Sequence, residues 1–394
     1  GYRVDEVVLP DLPNVNHGCS VSIRDRELAL RRPVSSSLGC HVNGLAYPKP
    51  DLSHPLSTAA GVVKRNICAM PTSLPDVDDQ FRNYVRNWVR AHMVPLDPTS
   101  DVSPPTWLLS SNYPLWRREQ LLAKYERGFD PLLHKYHWVK SFIKDETYPT
   151  YKYPRPINSR SDEFKIMCGP IFKLIEKALF SLPYFIKKVP VNERPQYIFD
   201  MLYREGASYC ATDYESFEAS FRRHMMEICE FELYDYMTQA LPDREWFMFL
   251  ITETVGGKNY CRFKGVSSFV DARRMSGEMC TSLGNSFTNL MVMLFLSKRI
   301  GSYVDGVVEG DDGLFVSNNN KFPTTEDYLS LGFKVKIELH DKLSSASFCG
   351  MLFAEDDMNN ITDPLKVLLN FGWTGREYLR ANNATRKALI RSKC

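Results

Sequence analysis

The stretch Tyr303-Val-Asp-Gly-Val-Val-Glu309-Gly310-Asp311-Asp312-Gly-Leu-Phe-Val316 decides how the rest of this chain is read. Two apolar runs, about 303–309 and 312–316, flank Gly310-Asp311. Glycine supplies the positive φ that a primed turn needs, so the stretch predicts a β-hairpin with two adjacent carboxylates at its tip. Alone, the Gly-Asp-Asp tripeptide is a weak signal, since average residue usage places one in roughly one chain in ten of this length. An ordinary acidic surface turn would explain it.

Two further strings precede it. Asp213-Tyr-Glu-Ser-Phe-Glu218 follows a predicted strand at 208–212. It opens a helix with an apolar stripe of Phe217, Phe221, Met225, Ile228 and Tyr236, which stops before Pro242. Ser276-Gly277-x-x-x-Thr281-x-x-x-Asn285 then leads into a helix at about 280–299. That spacing arises by chance in roughly one chain in a hundred or fewer. Its bland reading is a Ser-capped helix start with polar residues on one face. The three strings together, in this order and on compatible elements, leave little room for the bland readings.

Phosphodiester synthesis needs an activated 3′-hydroxyl, in-line attack on an α-phosphate and charge relief at the leaving pyrophosphate. Two divalent ions about 3.5–4 Å apart meet those needs by clamping the attacking and leaving oxygens. Hard ions such as Mg²⁺ want carboxylate oxygens and keep positions open for substrate phosphates. Asp213 at a strand end and Asp311 at a hairpin tip can supply that pair if their strands lie side by side.

The three strings resemble motifs A, B and C of viral RNA-dependent RNA polymerases of positive-strand RNA viruses. Within them the chain is most similar to the tombusvirus-like and nodavirus-like branch, including sinaiviruses. Lys144-Asp-Glu146 and Lys152-Tyr-Pro-Arg155-Pro-Ile157-Asn-Ser-Arg160 resemble the basic motif F, and Gly169-Pro-Ile-Phe-Lys173 continues that branch's pattern. Leu331-Gly-Phe-Lys334-Val-Lys336 with His340-Asp-Lys342 resembles motif D, and Ser347-Phe-Cys-Gly350 resembles motif E. Asp363-Pro-Leu-Lys and Phe371-Gly-Trp373 also look family-like.

The resemblance implies an α+β right-hand polymerase fold and two Mg²⁺ (or Mn²⁺) ions held by Asp213, Asp311 and Asp312. It implies that Glu218, Ser276, Gly277, Thr281 and Asn285 read the nucleotide, with the first, second and last of these on the ribose. A site built to bond a hydroxyl rejects analogues that lack it. Many relatives carry Asp where this chain has Glu218. Lys144, Lys152 and Arg155 are expected to hold the triphosphate through charge-assisted contacts. A motif D lysine is expected to protonate the leaving pyrophosphate; Lys342 fits the spacing best, with Lys336 the runner-up.

By the same resemblance, residues 76–205 form fingers with motif F, 206–249 palm with motif A, and 250–275 a fingers insertion. Residues 276–355 form palm with motifs B to E, and 356–394 the start of a short or truncated thumb. Residues 1–75, rich in Pro, Ser and Gly, read as an irregular wrapping segment, and 76–92 as a helix burying Phe81, Val85, Trp88 and Val89. The expected partners are an RNA template, nascent RNA and rNTPs. Viral replication proteins or host membranes are expected to engage only regions outside this chain. The expected place of action is the host cytoplasm, at membrane-associated replication complexes.

Composition is compatible with this reading without pointing to it. The 394 residues are 44% hydrophobic and 24% charged, an ordinary globular balance. A net charge of +2 means that nucleic acid must be held by local basic patches, such as the Lys- and Arg-rich 135–188. Ten cysteines lie scattered without a C-x-x-C pair, which excludes a zinc-finger signature and suits a reduced compartment. No apolar run reaches membrane-spanning length, 290–296 being the greasiest, and no signal peptide is visible. A start at Gly1 suggests a processed or excised piece.

Three rivals fit less well. A reverse transcriptase would want an aromatic-x-Asp-Asp pattern where Glu309-Gly310-Asp311-Asp312 stands. A non-catalytic RNA-binding relative would have lost a carboxylate. A metal-dependent hydrolase would want His or further acids near the metals, and the His residues do not cluster with these motifs.

Overall fold

The computed structural model describes residues 14–24, 35–39, 50–52, 54–130, 136–146, 152–362 and 364–393. Much of the expected wrapping segment lies outside them, as do Gly1, Lys135, Asp363 and Cys394. The strands that matter for the site are Ser20–Ile23 (β1), Ser35–Ser37 (β2), Trp138–Ile143 (β3), Pro156–Ser159 (β4) and Tyr209–Tyr214 (β5). They continue with Lys258–Arg262 (β6), Val266–Asp271 (β7), Val304–Glu309 (β8), Asp312–Ser317 (β9) and Val335–His340 (β10). The helices used below are Pro55–Val62 (α1), Pro75–His92 (α2), Asp162–Leu179 (α3) and Thr281–Arg299 (α4).

Two sheets organise these elements. One has the order β10-β5-β9-β8, and all its pairs are antiparallel. The other has the order β1-β7-β6-β3-β4. Its β6–β7 hairpin pairs in parallel with β3, so residues 258–271 share a sheet with 138–159. Trp373–Gly375 pairs with β2, tying the two ends of the described chain together.

The four-stranded sheet is covered on both faces, which is why β8 and β9 read as near-continuous apolar runs rather than alternating ones. Cys210, Tyr214, Val308 and Phe315 face the main core, where α2 and α4 also pack. Tyr209, Ala211, Val307, Leu314 and Val316 face a smaller core with Ile198 and Leu202.

The α2 helix buries the expected Phe81, Val85, Trp88 and Val89. Pro75 opens it, Asp76 and Asp78 occupy its first turn, and Arg90 and His92 its last, each favourable to the helix dipole. The α4 helix is buried on every side along most of its length. A helix so placed has no solvent face, so its polar residues must find partners inside the protein.

One expectation is corrected. The single helix expected after Asp213 is three: Phe217–Ser220, Arg223–Ile228 and Glu230–Thr238. Ser216 sits at φ 54°, in the left-handed region, just ahead of the first. Cys229, at φ −124° and ψ −87°, separates the other two. Phe217, Phe221, Met225 and Ile228 still reach the core, with Tyr236 at its edge. A stripe marks the buried face whether or not the backbone behind it is continuous.

Candidate active site

Asp213 occupies the penultimate position of β5, and its cross-strand partner on β10 is Lys336. On the other side of β5 the register runs to Thr212 opposite Gly313, and one further step brings Asp213 level with Asp312. Asp312 is in turn the partner of Glu309 across the β8–β9 hairpin. Direct cross-strand partners point to the same face. Lys336, Asp213, Asp312 and Glu309 therefore form one row at the end of the sheet, with Asp311 in the turn beyond.

That turn is as the glycine signal requires, with Gly310 at φ +65°. It is pinned from behind by α4. The Gly310 N–H donates to Ser286 Oγ at 2.8 Å. Asn289 Nδ2 donates to the carbonyls of Gly310 (3.3 Å) and Asp312 (3.0 Å), and Tyr214 Oη donates to Asn289 Oδ1 at 3.3 Å. Ser286 and Asn289, missed by the sequence reading, lie one and four residues beyond Asn285. Their signal was there: polar residues in an otherwise apolar helix need an internal partner.

Burial raises Asp311 to about 7, reinforced by the carboxylates of Glu218 and Asp312, with Arg155 offsetting part of the effect. Asp312 is also raised, first by burial and then by Asp213 and Glu309, against a lowering hydrogen bond from Cys349. Acids gathered like this carry more negative charge than their surroundings compensate. Among the described residues no three His, Cys, Asp or Glu side chains close into a ready ligand set. Like charges at short range push apart, and hard carboxylate oxygens aimed at one sheet end suit hard divalent cations.

Ser276 Oγ donates to Glu218 Oε1 at 2.7 Å, so two of the three expected ribose readers meet. The Ser276-Gly277 loop lies against β4, where the Asn158 N–H donates to the Ser276 carbonyl at 2.7 Å. Gly277 is required there: its φ is +99°, and a Cβ would come within 2.7 Å of the Asn158 carbonyl. Thr281 Oγ1 donates to the Met275 carbonyl at 3.1 Å, closing the loop onto its own helix.

Asn285 does not join the pair. It is buried, and its Oδ1 accepts from Arg274 Nε at 3.1 Å. Arg274 is itself buried against Glu230 and stacks over Phe221 at 4.6 Å. Gly284, where a Cβ would lie 2.1 Å from Glu230 Oε2, leaves the room that this ion pair needs.

Of the basic residues, Arg155 is exposed and close enough to Asp311 and Asp312 to offset their charge. Lys144 shares its backbone pairing (N–H to carbonyl, 2.9 Å), and both side chains pair with Glu146, at 2.9 Å for Lys144 and 3.4 Å for Arg155. Lys152 is exposed on the approach to β4. Lys342 lies elsewhere: it follows His340, whose partner is Tyr209, at the opposite end of β5 from Asp213. Residue spacing along the chain favoured Lys342, but antiparallel pairing brings Lys336 to the acidic end.

Residues 189–371 match the family of viral RNA-dependent RNA polymerases. The match spans the three acids and the Ser-Gly loop, and polymerases of this kind use divalent metal. The chain is 26% identical over 344 residues, 83% of its own length, to the RNA-directed RNA polymerase of Greasy grouper nervous necrosis virus. The corresponding polymerase of Striped jack nervous necrosis virus is 24% identical over 345 residues. RNA-directed RNA polymerase 2a of Tobacco streak virus is 24% identical over 323 residues, 75% of this chain and 38% of that protein. The chain spans about a third of the length of the two nervous necrosis virus polymerases. The polymerase match is thus to the segment that carries the acidic row. Among the described residues no helix is long and apolar enough to cross a membrane.

Proposed function

We propose that the chain is the catalytic core of an RNA-directed RNA polymerase of a positive-strand RNA virus. It extends RNA 5′-to-3′ from rNTPs on an RNA template. The observation that carries this is the acidic row: β5 and β9 bring Asp213 and Asp312 level, and the pinned turn sets Asp311 toward the Glu218–Ser276 pair. In this reading the four-stranded sheet is the palm and the five-stranded sheet belongs to the fingers. The elements after residue 356 begin a thumb.

Asp213, Asp311 and Asp312 would hold two Mg²⁺ or Mn²⁺ ions, which when bound supply charge relief at the attacking and leaving oxygens. Arg155 and Lys144 receive the triphosphate. Their pairs with Glu146 are solvent-exposed, worth about 0–1 kcal/mol each, and readily exchanged for phosphate oxygens. Lys152 approaches from the same segment. The Glu218–Ser276 pair accepts and donates to ribose hydroxyls, while Gly277 and Thr281 hold the loop that presents it. Lys336, cross-strand from Asp213, holds the proton for the leaving pyrophosphate at Nζ, and its hydrogen bond to Glu338 raises its pKa. Replication in the host cytoplasm at membrane-associated complexes, with other viral proteins engaged outside this chain, completes the proposal.

Primer extension on an RNA template, with Mg²⁺ or Mn²⁺ and with rNTPs or dNTPs, tests it. The expected result is rNTP-dependent extension that Asp311→Ala abolishes while the thermal unfolding profile is kept. Extension on dNTPs alone would point to reverse transcription, and an active Asp311→Ala enzyme would dismiss the acidic row.

A further inference from the structure

Among the described residues, the five-stranded sheet buries one face and exposes the other. Val139, Ile143, Cys261, Val266 and Val270 pack on Ala59, Val62 and Val63. The alternate positions of β3 and β6, Trp138, Lys140, Phe142, Lys258, Tyr260 and Arg262, are all exposed. Three large aromatic side chains are among them, Trp138 at 47% exposed, Tyr260 at 44% and Phe142 at 52%. Single exposed apolar residues need no explanation, but a contiguous set on one face does.

The registers sort this face into rows. Trp138 pairs with Tyr260, and Tyr260 with Phe269, giving an aromatic row across three strands, with ring centroids 5.2 and 5.0 Å apart. Two residues along, roughly 7 Å at strand rise, Lys140 pairs with Arg262 to give a cationic row. The other neighbours of those two cations in the register are Ser159 and Ser267, with no carboxylate opposite them. Next come Phe142 and Ile157, and then Lys144 beside Arg155. Arg262 also lies over Trp138 at 4.4 Å. Acids at the rims among the described residues include Asp271, opposite Lys258, Asp145, and Glu146, taken up by Lys144 and Arg155.

The face is continuous with the active site. Ile157 lies against the Ser276-Gly277 loop, within 3.0 Å of where a Gly277 Cβ would stand, and Arg155 reaches the charge of Asp311.

We propose that this sheet face is a platform for unpaired RNA running to or from the active site. Bases stack on Trp138, Tyr260 and Phe142, and backbone phosphates lie on Lys140, Arg262 and Lys258. Alternating aromatic and cationic rows are the arrangement that single-stranded nucleic acid selects, since every base has a π-face and every residue a phosphate. A protein partner of acidic character would use the cations but leave the aromatic row unexplained. The choice of RNA as occupant rests on the polymerase reading.

The test is fluorescence anisotropy of a short fluorescein-labelled oligouridylate against the full chain. Trp138→Ala and Tyr260→Ala should each weaken binding by roughly ten- to hundredfold. Trp138→Phe, which keeps a stacking ring and guards against a folding artefact, should recover most of it. Arg262→Ala should reduce the slope of log affinity against log salt by about one. Unchanged oligouridylate affinity in the Trp138→Ala and Tyr260→Ala variants overturns the platform, even if primer extension works. An equal loss of affinity for blunt duplex RNA also overturns it, because paired bases cannot stack on side chains. Binding through Trp138 by a chain with no primer extension would keep the platform and remove the polymerase reading.

Discussion

The Ser276 hydroxyl donates a hydrogen bond to the Glu218 carboxylate. In the proposed polymerase reading, an incoming 2′-hydroxyl can enter that bond as both donor and acceptor, whereas a deoxyribose leaves it as it was. Ser276→Ala removes the donor, at a cost of about 1–1.5 kcal/mol for a hydrogen bond of this kind. The rNTP-to-dNTP preference should therefore narrow by roughly tenfold, read by single-nucleotide incorporation. An unchanged ratio would show the pair to be structural. Asn285→Ala should act differently, because Asn285 serves Arg274: stability falls by about 1–3 kcal/mol in urea unfolding as a buried guanidinium N–H loses its acceptor. The two lysines proposed as proton donors, Lys336 and Lys342, separate by register. Lys336→Ala should lower kcat about a hundredfold, the usual scale for a lost proton donor, while Lys342→Ala leaves it within a few-fold. The reverse order would return the role to Lys342.

At the scale of elements, α4 is the part that places the acidic turn and the Ser-Gly loop. Its first turn carries Thr281, which closes the Ser-Gly loop, and its next turns carry Ser286 and Asn289, whose side chains hold the backbone of the acidic turn. Asn289→Ala should leave the carbonyls of Gly310 and Asp312 short of a donor and loosen the turn. The expected outcome is a loss of about 1–3 kcal/mol in stability. A larger fall in kcat than any rise in rNTP KM should accompany it, measured by steady-state extension. A variant of full activity would mean that the turn holds itself.

The hairpin, α2 and α4 were legible in sequence because their signals are local: a turn glycine, an apolar period, a helix start. The break at Ser216 and Cys229 was not legible, because packing rather than period interrupts that helix. The Lys336 placement and the Asn285 partner were hidden for a different reason. Both depend on which distant strand or loop lies alongside, and residue counting along the chain carries no such information.

Across the whole molecule, the five-stranded sheet meets the Ser-Gly loop through buried charge. Arg160, at the end of β4, pairs with Glu278 in that loop, and both side chains are essentially without solvent. Arg160 also donates to the carbonyls of Tyr136 (2.8 Å) and Thr254 (3.0 Å) and to Asn259 Oδ1 (2.7 Å), so one guanidinium ties β4 to the start of β3 and to the entry of β6. Burial pushes Glu278 above the usual carboxylate range even with Arg160 and Arg274 drawing it down. Desolvation thus outweighs attraction here, the common balance for an ion pair away from water. The pair is then poorly described as a source of stability, and better as a lock on where the loop sits. That distinction has a measurable form. Glu278→Ala alone leaves Arg160 charged and buried, and should cost about 3–5 kcal/mol in urea unfolding. Arg160→Met with Glu278→Leu removes both charges and should cost clearly less than the two single changes added together. The double variant should still lose rNTP selectivity, because Ser276 is two residues from Glu278 in the same loop. A double variant whose cost equals the sum of the singles would show that the two side chains act independently, and the loop would have to be held by its backbone bond to Asn158 instead.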